Sequence, residues 1–308
     1  MTYNVLQVEQ LTRRFGGKTA VDAIGFALGE GRCTALLGPN GAGKTTTIRM
    51  LAGLLDPTSG RIRIEGAEQE EDRRRLIGYL PQMPAFYNWM TGREYLIHAG
   101  RLCGMKAKEA AGSAEMLLER VGLASASRSR IGGYSGGMKQ RLGIAQALIH
   151  RPKLVILDEP VSALDPIGRR EVMTLLEELK KETTILFSTH VLHDAEAICD
   201  DILIMEGGRI AVSGSLEEVR AANRQPVLQI ETEPDAASRD WIGSWLAREA
   251  DFLLEAKPTD LGMRLVVNDI DAARNALLQE LAQGRIRVTK LDIGHTTLED
   301  LFMKAVAG

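Results

Sequence analysis

Gly38-Pro39-Asn40-Gly41-Ala42-Gly43-Lys44-Thr45 follows the apolar run Cys33 to Leu37 and opens a helical pattern from Lys44 to Leu55. The stretch fits G-x-x-x-x-G-K-[ST] in the context that pattern requires, a strand before it and a helix after it. Glycines let successive backbone N–H groups curl around a phosphate, and the helix N-terminus adds positive potential. Lys44 can neutralise β and γ phosphates, and Thr45 can ligate magnesium. Asn40, Gly41, Ala42, Gly43, Lys44, Thr45 and Thr46 are therefore the expected phosphate cradle. A merely glycine-rich turn explains neither the lysine nor the flanking elements.

Working outward, three more short apolar runs read as buried strands: Leu76 to Leu80, Leu154 to Leu157 and Thr184 to Phe187. Runs apolar on both faces are expected of a parallel sheet covered by helices, and Arg169 to Lys181 has helical spacing. The run Leu154 to Leu157 leads into Asp158-Glu159-Pro160, two acids at the carboxyl end of a strand, where open α/β sheets bind their ligands. Asp158 can hold magnesium through a water, and Glu159 can accept a proton from a water attacking the γ phosphate. Adjacent acids at strand ends are often only helix caps; a phosphate loop on the same sheet weighs against that reading.

Between Pro84 and His150 the strand signal gives way to helical periodicity, in Glu94 to Cys103, Lys108 to Val121 and Met138 to His150. The last of these follows Tyr134-Ser135-Gly136-Gly137-Met138, so Ser135, Gly136 and Gly137 predict a second anion-binding helix N-terminus. From about Val5 to Ser215 the chain resembles the ABC ATPase family. The resemblance rests on the phosphate loop, Asp158-Glu159, Phe15, the glutamine of Leu80-Pro81-Gln82, the Ser135 signature, Ser162-Ala163-Leu164-Asp165 and Ser188-Thr189-His190, in that family's order.

The resemblance implies a P-loop NTPase cassette of the ABC ATPase type: an α/β fold with a mixed β-sheet and a helical insertion at about 84–150. It implies ATP and Mg2+ as cofactors, with the signature of one subunit closing over ATP held by another, most simply a homodimer. Gln82 would sense magnesium and γ phosphate beside Thr45 and Asp158, and His190 would contact the γ phosphate. Phe15 would stack on adenine, where the family more often has tyrosine. Tyr134 and Met138 replace a commoner leucine and glutamine. His193, near His190, reads as a structural residue. A transmembrane permease on a separate chain is the implied partner, and the YSGGM-type signature with a C-terminal extension is similar to the exporter branch. The place implied is the cytoplasmic face of the membrane.

After Gly214 the character changes, and domains at 1–218 and 219–308 are expected. The tail reads as strand Val227 to Glu231, helix Arg239 to Glu249, strands Phe252 to Ala256 and Met263 to Val267, helix Ile270 to Gln283 and strand Arg285 to Leu291. That β-α-β-β-α-β order predicts a small α+β, ferredoxin-like domain.

Composition bounds these readings. With 44% hydrophobic and 26% charged residues the 308-residue chain is an ordinary globular one. A net charge of -3 lacks the basic footprint of a dedicated nucleic-acid binder, so no nucleic-acid partner is expected. The alternative function is a soluble ABC ATPase acting on nucleic acid or ribosomes; the paired cassettes, coiled-coil inserts and zinc motifs usual there are not visible. Arg73, Arg74 and Arg75 follow Glu70, Glu71 and Asp72 and read as a solvated, self-neutralising segment. Cys33, Cys103 and Cys199 have no metal-ligand spacing and suit a reducing compartment. Nowhere do about 18 apolar residues run together, so no membrane span is expected.

Overall fold

In a computed structural model, residues 3–67, 70–162, 164–284 and 286–307 are described. The chain divides into two units, one running to Glu217 together with the last residues from Ala305, the other Glu218–Lys304.

The first unit is built on a six-stranded sheet in the order β5-β6-β7-β3-β8-β9. Its strands are β3 (Cys33–Leu37), β5 (Ile77–Leu80), β6 (Leu154–Asp158), β7 (Thr184–Thr189), β8 (Asp201–Glu206) and β9 (Arg209–Ser215). All pair in parallel except β9, which turns back on β8. Strands β3, β6 and β7 are buried at every residue. Their side chains are covered on both faces, as the unbroken apolar runs require. Leu36, Ile156 and Leu186 join one core, and burying each such side chain contributes about 1.5–3 kcal/mol.

Against this sheet lies a second one that the sequence reading did not anticipate, the antiparallel trio β1 (Asn4–Phe15), β2 (Lys18–Gly29) and β4 (Ser59–Ile64), ordered β2-β1-β4. Leu6, Val8 and Leu11 of β1 lie in the same core. The helices are α1 (Lys44–Leu51), α2 (Glu70–Arg73), α3 (Gly92–Leu102), α4 (Ala107–Arg120), α5 (Gly136–Leu148), α6 (Pro166–Leu179), α7 (Leu192–Ile198) and α8 (Leu216–Ala222). Helix α1 stops short of the expected Leu55, with turns carrying the chain past Ala52 and Gly53. The region expected to be helical supplies α3, α4 and α5. Thr91 starts α3 through a capping box, its hydroxyl accepting from the Glu94 amide while Glu94 accepts from the Thr91 amide.

Two expectations fail. Arg73 is only 6% exposed, so the arginine run is not wholly solvated: Arg73 and Arg74 lie against Gly53, where a Cβ would meet the Arg74 side chain at 3.0 Å. His193 is exposed on the first turn of α7 and supports no core. The fold also joins what the sequence separates: the free thiols of Cys33 and Cys199 lie 3.7 Å apart, both buried, and burial pushes the Cys199 thiol well up.

The second unit carries β10 (Pro226–Thr232), α9 (Ala236–Leu246), β11 (Leu253–Thr259), β12 (Gly262–Val267), α10 (Ile270–Gly284) and β13 (Val288–His295); α11 (Leu298–Ala307) follows, its residues from Ala305 counted with the first unit. The order is the expected β-α-β-β-α-β, in one antiparallel sheet arranged β11-β12-β10-β13. The last strand begins later than expected; Arg285, its anticipated first residue, lies outside the described residues. Leu228, Ile230, Leu265 and Val267 face Trp245, Ala273 and Leu277 across the core.

Candidate functional site

Register brings the chemistry to one edge. Leu37 is level with Thr189, Asp158 with Ser188, and Leu80 with Leu157, so β3, β5, β6 and β7 all end along one line. The residues that follow them are the phosphate loop, Gln82, Glu159 and His190.

The loop needs its glycines. Gly43 caps α1 at φ +105, and a Cβ there would lie 2.6 Å from the Ala20 carbonyl oxygen; at Gly38 it would lie 2.4 Å from that of Met205. Only glycine fits that backbone approach. Lys44 is buried and its Nζ donates to the carbonyls of Gly38 at 2.6 Å and Pro39 at 3.1 Å. Burial pulls its pKa down, opposed by the carboxylates of Glu159 and Asp158. The ammonium therefore sits desolvated between a glycine cradle and two acids, ready for a more highly charged anion.

Asp158 is buried and accepts from Ser188 Oγ at 2.7 Å; Thr45 Oγ1 stands 3.4 Å from the same carboxylate oxygen. Thr45, Asp158 and the amide oxygen of Gln82 are hard oxygen donors, the chemistry that Mg2+ selects. Gln82 Nε2 donates to Glu159 Oε2 at 3.1 Å, and His190 Nδ1 lies 3.3 Å from Glu159 Oε1. The Glu159 amide donates to Ser188 Oγ at 2.9 Å. Glu159 itself has φ +48, the left-handed region, which costs a non-glycine residue about 1–2 kcal/mol. The bend aims its carboxylate between Gln82 and His190.

The signature residues gather elsewhere. Ser135 caps α5, accepting from the Met138 amide at 3.2 Å, and Gly136 and Gly137 begin the helix. They line a cleft of about 420 Å³ with Arg141, Leu164, Asp165, Ile167, Gly168 and Glu171. Arg141 pairs with Glu171 there, and Asp165 caps α6 by accepting from the Gly168 amide at 2.7 Å. The cleft shares no lining residue with the cluster around Lys44 and Glu159. Ala163 lies outside the described residues. Tyr134 takes the place of a leucine by burying its ring against Gly92 and donating its hydroxyl to the Ala126 carbonyl at 2.7 Å.

Phe15 ends β1 and is 48% exposed, with the Arg13 guanidinium 4.6 Å from its ring centre. Its open face can stack on a planar ring. Ser188 is what the sequence reading undervalued: one hydroxyl holds Asp158 and the Glu159 amide together, a role that serine in a strand does not announce.

A glycine cradle with a buried lysine, paired acids two strands away and a separate Ser-Gly-Gly helix cap define a P-loop nucleoside triphosphatase cassette. A family model described as ABC transporter matches residues 21–162, and one described as the C-terminal domain of DrrA1-3-like ATP-binding proteins matches residues 214–306. The ABC transporter ATP-binding protein YxlF of Bacillus subtilis is 46% identical over 98% of this chain and 99% of its own. The bacitracin transport ATP-binding protein BcrA of Bacillus licheniformis is 34% identical over 99% and 98%. A solved ATP-binding subunit of an ABC transporter superposes with a TM-score of 0.65 at 34% identity, covering 71% of this chain and 92% of that one. The chain belongs to the ABC transporter ATP-binding family, as a subunit that binds and hydrolyses ATP to power a separate permease. Among the described residues no helix is long and apolar enough to cross a membrane.

Proposed function

We propose that two copies of this chain trap two ATP molecules head to tail, each nucleotide held by the phosphate loop of one copy and the Ser135 signature of the other. The observation that carries this reading is the separation of two half-sites: the Lys44–Asp158–Glu159 cluster and the Ser135–Gly137 cleft share no residue, so each needs a second surface to enclose a nucleotide. A homodimer supplies both surfaces at once. Residues 1–218 would be the motor and 219–308 an accessory domain.

In that sandwich the amides from Asn40 to Thr46 and Lys44 bind the β and γ phosphates, and Phe15 stacks on adenine. Thr45, Asp158 and Gln82 would hold Mg2+, which screens the phosphate charge. Glu159 takes a proton from the attacking water, a general-base contribution of about 10²–10⁴-fold. Gln82 and His190, both within hydrogen-bonding reach of Glu159, position it and meet the γ phosphate. Ser135, Gly136 and Gly137 offer a helix N-terminus to the γ phosphate across the interface. Outward transport is the direction we favour, since relatives carry names for bacitracin transport and linearmycin resistance. The working position is then the cytoplasmic face of the membrane, docked on the permease.

The test is Glu159→Gln with Mg2+ and ATP. Phosphate release should fall by about 10²–10⁴-fold while ATP stays bound and an association seen only with ATP accumulates. Adding Ser135→Arg should abolish the ATP-dependent association and leave ATP binding to each phosphate loop intact. Wild-type turnover by Glu159→Gln, or an ATP-dependent association indifferent to Ser135→Arg, overturns the reading.

A further inference from the structure

The accessory sheet has two edge strands of unlike character. β11 carries Pro258 and a register break between Leu253 and Glu255, devices that blunt an edge against pairing. Among the described residues β13 pairs with β10 alone; it contains no proline, and its own register break falls near its start, between Val288 and Lys290, after which it runs unbroken to His295. Every residue of β13 is exposed. Leu291 and Ile293 are 37% and 46% exposed although they sit beside the fully buried Ile230 and Leu228.

The phase of its hydrogen bonds is fixed. Thr296 N–H donates to Gln225 O at 2.8 Å, and the next pair, Pro226 with His295, has no N–H on the proline side, as a non-hydrogen-bonded position allows. Alternation then points the backbone groups of Gly294, Asp292 and Lys290 at β10, and those of His295, Ile293 and Leu291 outward. A second, antiparallel β13 can satisfy the outward groups only where an outward residue meets another. The twofold axis must therefore pass through a residue.

Charge selects which one. An axis at Lys290 or at Asp292 sets like charges face to face, and one at Ile293 forms no charge pair. An axis at Leu291 places Lys290 opposite the partner's Asp292, twice by symmetry, and packs Leu291 on the partner's Leu291. Opposite charges directly across a sheet are favourable and like charges are not. Lys290 is held over that face by Glu231, 3.6 Å away.

We propose that β13 is a self-association edge, through which two copies of this chain join their accessory sheets in a short antiparallel ladder, Lys290 to Asp292 of each copy, centred on Leu291. The contact needs no nucleotide and uses none of the residues of the ATP sandwich, so the two can fail independently.

The test is sedimentation of the full-length, nucleotide-free chain in EDTA across a concentration series. A reversible dimer is expected, and Lys290→Asp or Asp292→Lys should each raise its dissociation constant by about tenfold. The double variant should restore it, and mixing the two single variants should give a heterodimer, because every charge pair re-forms between the unlike chains. In a Cys103→Ser background, Leu291→Cys should cross-link on oxidation, the facing Cα atoms lying about 5.5 Å apart, within disulfide reach. A chain that is monomeric at every concentration, or a dimer that neither charge variant weakens, overturns the proposal.

Discussion

The hydroxyl of Ser188 donates to the buried carboxylate of Asp158 at 2.7 Å. Its oxygen also accepts from the Glu159 amide at 2.9 Å, so one side chain on β7 sets the orientation of both acids at the end of β6. Ser188→Ala removes the donor and leaves the Asp158 carboxylate unsupported at a site expected to hold Mg2+. Partners of this kind typically cost about 10–100-fold in metal affinity or activity. ATPase activity should fall by that amount, and raising the Mg2+ concentration should recover part of it. A loss wholly insensitive to Mg2+ would assign the serine to folding alone.

Glu159 stands at φ +48, a conformation that glycine adopts without steric strain. Glu159→Gly and Glu159→Gln both remove the carboxylate, but only glycine also relieves the backbone. The first unit of the glycine variant should be more stable than that of the glutamine variant by about 1 kcal/mol, or roughly 2–4 °C in Tm, with both defective in hydrolysis. Equal melting temperatures would show that the surrounding turn carries no strain.

The first unit's parallel sheet is legible in the sequence because a strand covered on both faces must be apolar throughout, as Leu154 to Leu157 is. The antiparallel trio is not. β1 and β2 are long, half-exposed and repeatedly out of register, with Gln10 and Ala23 at positive φ, so the two-residue period breaks down. Within the site, each motif declares its own residues, since cradle and acid pair are local in the chain. What no local pattern carries is convergence: Gln82 lies 77 residues and His190 31 residues from Glu159, and only the strand register brings the three together. The same distance hides Cys33 and Cys199, 166 positions apart.

Gly43 illustrates the cost of the cradle. Its φ of +105 is closed to other residues, and an added methyl would lie 2.6 Å from the Ala20 carbonyl oxygen, which belongs to β2 and cannot swing aside as a side chain could. Gly43→Ala should destabilise the first unit by about 3 kcal/mol and abolish ATP binding, measured by chemical denaturation and by nucleotide titration. Retained nucleotide affinity would mean that the loop has other conformations open to it.

In the second unit, Glu280 accepts hydrogen bonds from the indole N–H groups of Trp241 at 3.1 Å and Trp245 at 2.8 Å, and from Arg248 at 2.5 Å. Arg248 in turn lies over the Trp245 ring, 4.2 Å from its centre. Burial pushes the Glu280 pKa up, but the three donors outweigh it and hold the carboxyl below its usual value of 4.5. A depressed carboxyl stabilises the folded state above the unfolded value and loses that contribution as pH falls through the folded one. Glu280→Gln should therefore cost about 1–2 kcal/mol near pH 7, discounted for a side chain still about a third exposed. The difference between wild type and variant should shrink as the pH drops below 4.5. Urea denaturation in a Trp89→Phe background, followed by tryptophan fluorescence, isolates the second unit, because Trp241 and Trp245 are then the tryptophans that remain. A gap that stays constant from neutral to acid pH would mean that the charge on Glu280 contributes nothing and that its shape alone holds the two indoles.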